Sequence, residues 1–294
     1  LAQSYHGETV GALSVTDVAL FKDVYAPLLR PSVQVPSPDL RLASAGVDAK
    51  AHALACAEAL EQHFERYAER TAALIVEPLV QGACGMGIYH PVYLERARAL
   101  CTRYEVSLIA DEIMTGFGRT GTMFACEQAG IVPDLLCLSK GITGGYLPLS
   151  VVMTTDPVYS AFYADEVTKG FLHSHSYTGN PLACRAALAT LDIFQRDDVI
   201  AANRQKATRF SAVVQPLARH PRVRNFRHLG MIWAFEVATA NASFGREPAQ
   251  LALQRELLLR PIGNTIYFMP PYVIADAEWQ LLIERTLECI DLCA

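Results

Sequence analysis

The sequence predicts an α/β fold in which a mostly parallel sheet is followed by a smaller α+β unit. Three observations carry that expectation. Short, continuously apolar runs, "TAALIVEP", "VSLIADE", "DLLCLSK" and "LSVVMTT", alternate with segments of helical period. Strands apolar on both faces belong in a sheet covered by helices on both sides, the setting of parallel strands. After about residue 220 the texture changes, and "VRNFRHLG" and "MIWAFEV" read as an antiparallel pair joined at Gly230. Finally, 294 residues that are 51% apolar suffice for one large or two ordinary cores.

Each element has a local reason. Residues 48–70 are good helix formers with apolar positions every three or four residues. "TAALIVEP" is a short strand closed by Pro78. In "PVYLERARALCTRYE", Pro91 occupies the first turn of a helix, where its missing N–H costs nothing. "VSLIADE", "DLLCLSK" and "LSVVMTT" are the next strands. Helices are expected at 181–196 and 198–219, then near 247–259, with a short strand at "TIYFM" and a closing helix at 276–292. The expected division is a large domain over 1–197 and a small one over 198–294. The opening "LAQSYHGETVGALSV" reads as mid-domain sequence, so an N-terminal part is expected to precede Leu1.

Composition removes several function classes. The net charge is −5, and acidic and basic residues are interspersed, with no basic stripe for nucleic acid or an anionic membrane. The apolar runs are too short to cross a bilayer. The eight cysteines form no C-x-x-C pair, and several sit in apolar runs such as "LLCLS". They read as buried, reduced thiols of a cytosolic protein, and no metal site is expected.

"DEIMTGFGRTG" spaces Gly116, Gly118 and Gly121 as G-x-G-x-x-G, the pattern that cradles a dinucleotide pyrophosphate. That function needs the first glycine directly after a strand and an apolar helix behind the last. Here Asp111 and Glu112 intervene and would repel the pyrophosphate, and Asp134 opens the next strand instead of closing it. The glycines are expected to make a tight, irregular loop.

Asp111 ends one buried strand, and Lys140 ends the next before the glycine-rich "GITGG". Carboxyl ends of strands form the ligand crevice of open α/β sheets, so an acid and a lysine face one site. A partly buried lysine can lose its proton and become a nucleophile. Pyridoxal phosphate requires this pair: an amine that bonds it, and a carboxylate that keeps its ring nitrogen protonated.

"LIADEIMTGFGRTGTMFACEQAGIVPDLLCLSKGITGG", continuing through "HSHSYTGNPLAC", resembles the core signature of the class III pyridoxal-phosphate-dependent aminotransferases. The resemblance covers essentially the whole chain. "SYHGETVGALSV" and "RPIGNTIYFMPPYVI" are most similar to the branch of that class that serves biotin synthesis. It implies a fold-type I transferase, a homodimer with shared active sites, and pyridoxal phosphate as cofactor. It also implies about a third more sequence upstream, with a phosphate loop and pocket aromatics. The implied reaction moves an amino group to 7-keto-8-aminopelargonate, with S-adenosylmethionine as donor, although some relatives use lysine. Rivals are a class III enzyme for ω-amino acids or diamines, and a silent scaffold of the same fold, which the intact lysine and aspartate disfavour.

The resemblance also assigns roles. Lys140 bonds the cofactor and shuttles the substrate proton, and Asp111 partners the ring nitrogen. Tyr5 packs on the ring and lines the substrate site, although by itself it reads as an ordinary core tyrosine. His6 receives no chemistry. Ser176, with the adjoining His175, reaches the partner's cofactor phosphate. Ser174 stands near substrate where many relatives have glycine. Glu77 matches a carboxylate near the cofactor, or equally a strand-end acid capping the next turn. Arg260 matches the receiver of the substrate carboxylate, or a helix-end arginine, and Tyr267 lines the same pocket.

Overall fold

The structure, a computed structural model, describes residues 1–239 and 245–293. The chain opens with helices α1 (Val10–Val15) and α2 (Ala19–Lys22) and, after irregular backbone, α3 (Ala49–Tyr67). The side chains of Thr9 and Asp48 accept the N–H groups of Ala12 and Ala51, capping α1 and α3. Strand β1 (Ala73–Val76) leads into a hairpin of β2 (Val80–Gln81) and β3 (Gly87–Ile88). Then come α4 (Val92–Arg103), β4 (Ser107–Asp111), β5 (Leu135–Leu138), β6 (Val151–Thr154), α5 (Asp156–Ser160) and α6 (Pro181–Arg196). The C-terminal part holds α7 (Val199–Val213), α8 (Gln215–Ala218), β7 (Val223–Leu229), β8 (Ile232–Val237), α9 (Arg246–Leu253), β9 (Thr265–Phe268) and α10 (Asp276–Leu292).

The larger sheet has the order β1-β4-β5-β6. β1, β4 and β5 run parallel, whereas β6 runs antiparallel to β5. The expected fourth strand is present but reversed. Its link to β5 contains only a 3-10 turn, Lys140–Thr143, and no helix long enough for the crossover a parallel return needs. α3 presents Ala53, Cys56, Ala57, Leu60 and Phe64 at helical spacing, and these pack with Tyr93 and Leu94 of α4 over Leu74, Val76 and Leu108.

The smaller sheet, β7-β8-β9, is antiparallel. β8 is buried on both faces because its alternate residues serve different cores. Trp233 and Phe235 join Phe210 and Trp279 from α7 and α10, whereas Ile232 and Ala234 pack into the core of the parallel sheet. The Phe210 and Trp279 rings stack at 4.6 Å, and truncating either would cost about 3–5 kcal/mol.

Two helices depart from expectation. The stretch 198–219 is divided, because Pro216 starts a separate turn, α8. The helix expected over 247–259 ends at Leu253, where Glu256 adopts a left-handed φ of 55° and the N–H of Leu257 turns back to Ala252. The closing helix spans Asp276–Leu292, and Glu278 caps its start by accepting the N–H of Ala275.

Candidate active site

Three strand ends build the site. Glu77 follows β1, Asp111 is the last residue of β4, and Lys140 lies two residues beyond β5. The register aligns Val76 with Ala110 and Asp111 with Cys137, so Glu77, Asp111 and Lys140 all lie at the carboxyl edge of the sheet, Lys140 three residues beyond the partner of Asp111. A cavity of about 340 Å³ opens there, lined by Tyr5, His6, Glu77, Asp111, Lys140 and Tyr267 together with Gly82, Ala83, Met86 and Ile262. A second cavity of about 700 Å³ adjoins it and shares Ile113, Met114 and Lys140.

Asp111 is buried and held at both oxygens. Oδ1 accepts the N–H of Ile113 at 3.1 Å, and Oδ2 lies 2.8 Å from Nδ1 of His6. A carboxylate only accepts, so Nδ1 carries the proton in that contact. The His6 side chain is 2% exposed and its Nε2 is buried without a hydrogen-bond partner among the described residues. His6, to which the sequence reading gave no chemistry, therefore lines the candidate site. Its signal was only its place between Tyr5 and Gly7, and 105 positions separate it from Asp111.

Glu77 is buried, and its two oxygens accept the N–H groups of Tyr5 and Gly82, each at 2.9 Å. Burial pushes its carboxyl up to about 7; the two N–H donors act against that, and the charge of Asp111 adds to it. Glu77 caps the turn after β1 through the N–H of Gly82, and it also lines the cavity. Tyr5 is half-buried, its ring centroid 4.8 Å from that of Phe21 and its hydroxyl donating to Glu8 at 3.2 Å.

Lys140 has a left-handed φ of 46° and is exposed. The expectation of a partly buried lysine is thus corrected, because two open cavities meet at this residue and this chain alone does not enclose it. Arg260 is also exposed and is not among the residues lining either cavity, whereas Tyr267 is. Ser174, His175 and Ser176 lie on an exposed stretch apart from both cavities.

The glycine loop is tight, as expected. A Cβ on Gly116 would stand 2.8 Å from the Glu112 carbonyl oxygen, and Gly118 combines a φ of 90° with a Cβ position 2.9 Å from Ile200. Glu112 turns away from the cavity and accepts from Thr115, Ala125 and Cys126, stapling the loop.

The family model described as aminotransferase class III matches residues 1–290. The chain belongs to the class III aminotransferases. Among relatives of this class III chain, the adenosylmethionine-8-amino-7-oxononanoate aminotransferase of Helicobacter pylori is 46% identical over 99% of the chain and 66% of the relative. That of Geobacter sulfurreducens is 40% identical over 96% of the chain and 64% of the relative. The chain thus spans slightly less than two thirds of these curated relatives. A crystal structure of the Methanocaldococcus jannaschii adenosylmethionine-8-amino-7-oxononanoate aminotransferase superposes with a TM-score of 0.88 at 34% identity, covering 99% of this chain and 67% of that one. The omega transaminase of Pseudomonas jessenii in complex with PMP gives 0.91 at 28% identity, covering 99% and 67%. The class III architecture is that of the fold-type I transferases.

Proposed function

We propose that this class III aminotransferase transfers an amino group to 8-amino-7-oxononanoate (7-keto-8-aminopelargonate), giving 7,8-diaminopelargonate for biotin synthesis. S-adenosylmethionine is the proposed donor and pyridoxal phosphate the cofactor. The observation that carries the reading is the meeting of Lys140 and Asp111 in one cavity of a chain 46% identical to a relative named for that reaction.

The cavity residues fit that cofactor. One amine, Lys140, and two buried carboxylates, Asp111 and Glu77, line a single space whose volume, about 340 Å³, lies in the ordinary range of ligand pockets. When bound, pyridoxal phosphate accepts the electrons released as the substrate's Cα–H bond breaks. Nζ of Lys140 would hold the cofactor and would serve as the base for the proton on the substrate's Cα. Asp111 would keep a proton on the ring nitrogen by its opposite charge, and His6 fixes the orientation of that carboxylate. Glu77 holds the backbone of Tyr5, whose ring would pack against the cofactor.

The remaining roles rest on a homodimer. Phe171, Leu172 and Tyr177 are exposed apolar residues next to Ser174, His175 and Ser176 in sequence, and Tyr163, Val152 and Met153 are exposed as well. A second subunit on that face would cover them, enclose Lys140, and receive Ser176 and His175 at its cofactor phosphate and Ser174 near its substrate. Arg260 is assigned to the substrate's far carboxylate, with Tyr267 on the cavity wall. The domain division at 197/198 is supported by a second core drawn only from residues beyond 206. We place the enzyme in the cytoplasm, where its eight free thiols would remain reduced.

The test is an amino-donor and acceptor screen on the full-length protein. Turnover of 8-amino-7-oxononanoate with S-adenosylmethionine is expected. Turnover with lysine alone would replace the donor. Efficient use of ω-amino acids, with none of this keto acid, would move the protein to the ω-transaminase branch.

A further inference from the structure

We propose that Arg41 and Arg227 are positioning residues, forming with Asp39 and Glu236 an ionic clasp that holds the 82–86 loop as a substrate-side wall of the cavity. The proposal rests on the transaminase reading above. The loop joins β2 to β3 and gives Gly82, Ala83 and Met86 to the cavity lining. Its backbone is strained at Met86, a residue with a side chain that adopts a left-handed φ of 56° directly after Gly85. Such conformations persist only where the surroundings over-determine them.

Here two guanidinium groups do so. Three consecutive loop carbonyls each accept from an arginine: Cys84 from Arg41 at 3.0 Å, Gly85 from Arg227, and Met86 from Nε of Arg227 at 2.7 Å. The acids hold the arginines in turn. Asp39, fully buried, lies 2.6 Å from Arg41, and Oε1 of Glu236 lies 3.2 Å from Arg41 and 3.7 Å from Arg227. The approach requires glycine, since a Cβ on Gly87 would stand 2.3 Å from Oδ2 of Asp39.

A β-bulge aims the second arginine. Between Arg224 and Arg227 the register of β7 against β8 slips by one residue, with Asn225 at a φ of 48°. Asn225 donates to Glu236 at 2.6 Å and accepts from Arg227 at 2.7 Å, locking the bulge to the clasp. Arg227 then stands opposite Ala234, and Ala234 stands opposite Tyr267. One row across the sheet therefore connects the clasp to a second cavity residue. Buried ion pairs are weak contributors to stability compared with apolar packing, so four charges kept at this junction point to a requirement for geometry.

The test uses full-length holoenzyme, with active sites counted by borohydride fixation of the cofactor. Arg227→Lys keeps the charge but cannot span the carbonyls of Gly85 and Met86. Glu236→Gln keeps the shape but removes the charge that the two arginines share. Each is expected to raise KM for 8-amino-7-oxononanoate about ten-fold, with kcat per labelled site within about two-fold of wild type. The double variant should be little worse than either single change, because both break one unit. A merely structural role would lower the melting temperature and the labelled fraction but leave KM unchanged, and unchanged KM in the folded variants overturns the proposal. Should neither variant fold, amide exchange of 84–88 in wild-type holoenzyme decides. Slow exchange that slows further with the keto acid supports the clasp, and fast exchange indifferent to it overturns the clasp. Absence of keto-acid turnover by wild type refutes the proposed acceptor instead, and the exchange of 84–88 in the free protein still reads the clasp.

Discussion

Replacing Glu77 by glutamine separates two effects that oppose each other in the buried carboxylate. Both oxygens of Glu77 accept backbone N–H groups, from Tyr5 and Gly82. An amide offers one acceptor and one NH₂, so one of those N–H groups would face a donor, at a cost of about 1–3 kcal/mol. Against this, the amide never ionises. Burial raises the Glu77 carboxyl from 4.5 to about 7, so across that window the folded protein holds a proton that the unfolded chain has released. The wild-type stability contributed by that proton is full below about pH 4.5 and is lost as pH rises to 7. The shift corresponds to about 3 kcal/mol, and Glu77→Gln lacks this dependence. Urea unfolding at pH 4.5, 6 and 8 reads the difference. The variant is expected to be the less stable protein at the acid end and to gain about 3 kcal/mol on wild type by pH 8. Parallel pH–stability curves for the two proteins would refute the reasoning.

Other expectations follow from single contacts. His6→Ala removes the 2.8 Å contact to Asp111 and should lower turnover about ten- to a hundred-fold, with partial recovery in His6→Asn, whose amide can donate to the same oxygen. Wild-type turnover in His6→Ala would show that Asp111 needs no such support. Gly118→Ala should lower stability by about 1–3 kcal/mol, through its φ of 90° and the approach to Ile200, and an unchanged melting temperature would contradict the loop geometry. Mixing Ser176→Ala with Lys140→Ala subunits should restore some activity by forming dimers with one intact composite site. No recovery despite demonstrated subunit exchange would remove the shared-site assignment.

The elements that the sequence made legible are those decided by local physics. Continuously apolar strands located β1, β4, β5 and β6, and their carboxyl ends brought Asp111, Glu77 and Lys140 to one edge. The closing helix expected at 276–292 is found over Asp276–Leu292. What stayed hidden depends on contacts distant in sequence. His6 meets Asp111 across 105 positions, and nothing near His6 announces it. The aim of Arg227 depends on a one-residue bulge, which leaves no periodic trace. The helix after 247 was overdrawn because apolar spacing continues through Leu257 to Leu259, while the chain had already turned at Glu256. The reversal of β6 was readable in principle, since the twelve or so residues before it carry no apolar helix. Arg260 has the right neighbours in sequence, yet it stands outside the cavities of the single chain.

The central claim is that Lys140, set beside Asp111 at the edge of the parallel sheet, carries the cofactor that does the chemistry. Borohydride reduction of full-length holoenzyme, followed by peptide mapping, tests it most directly. The account predicts loss of the visible absorbance band and a single adduct on the peptide containing "LSKGITGG", at Lys140, with Lys140→Ala binding cofactor only reversibly. An adduct on any other lysine, or none on a protein that still transfers amino groups, would contradict it.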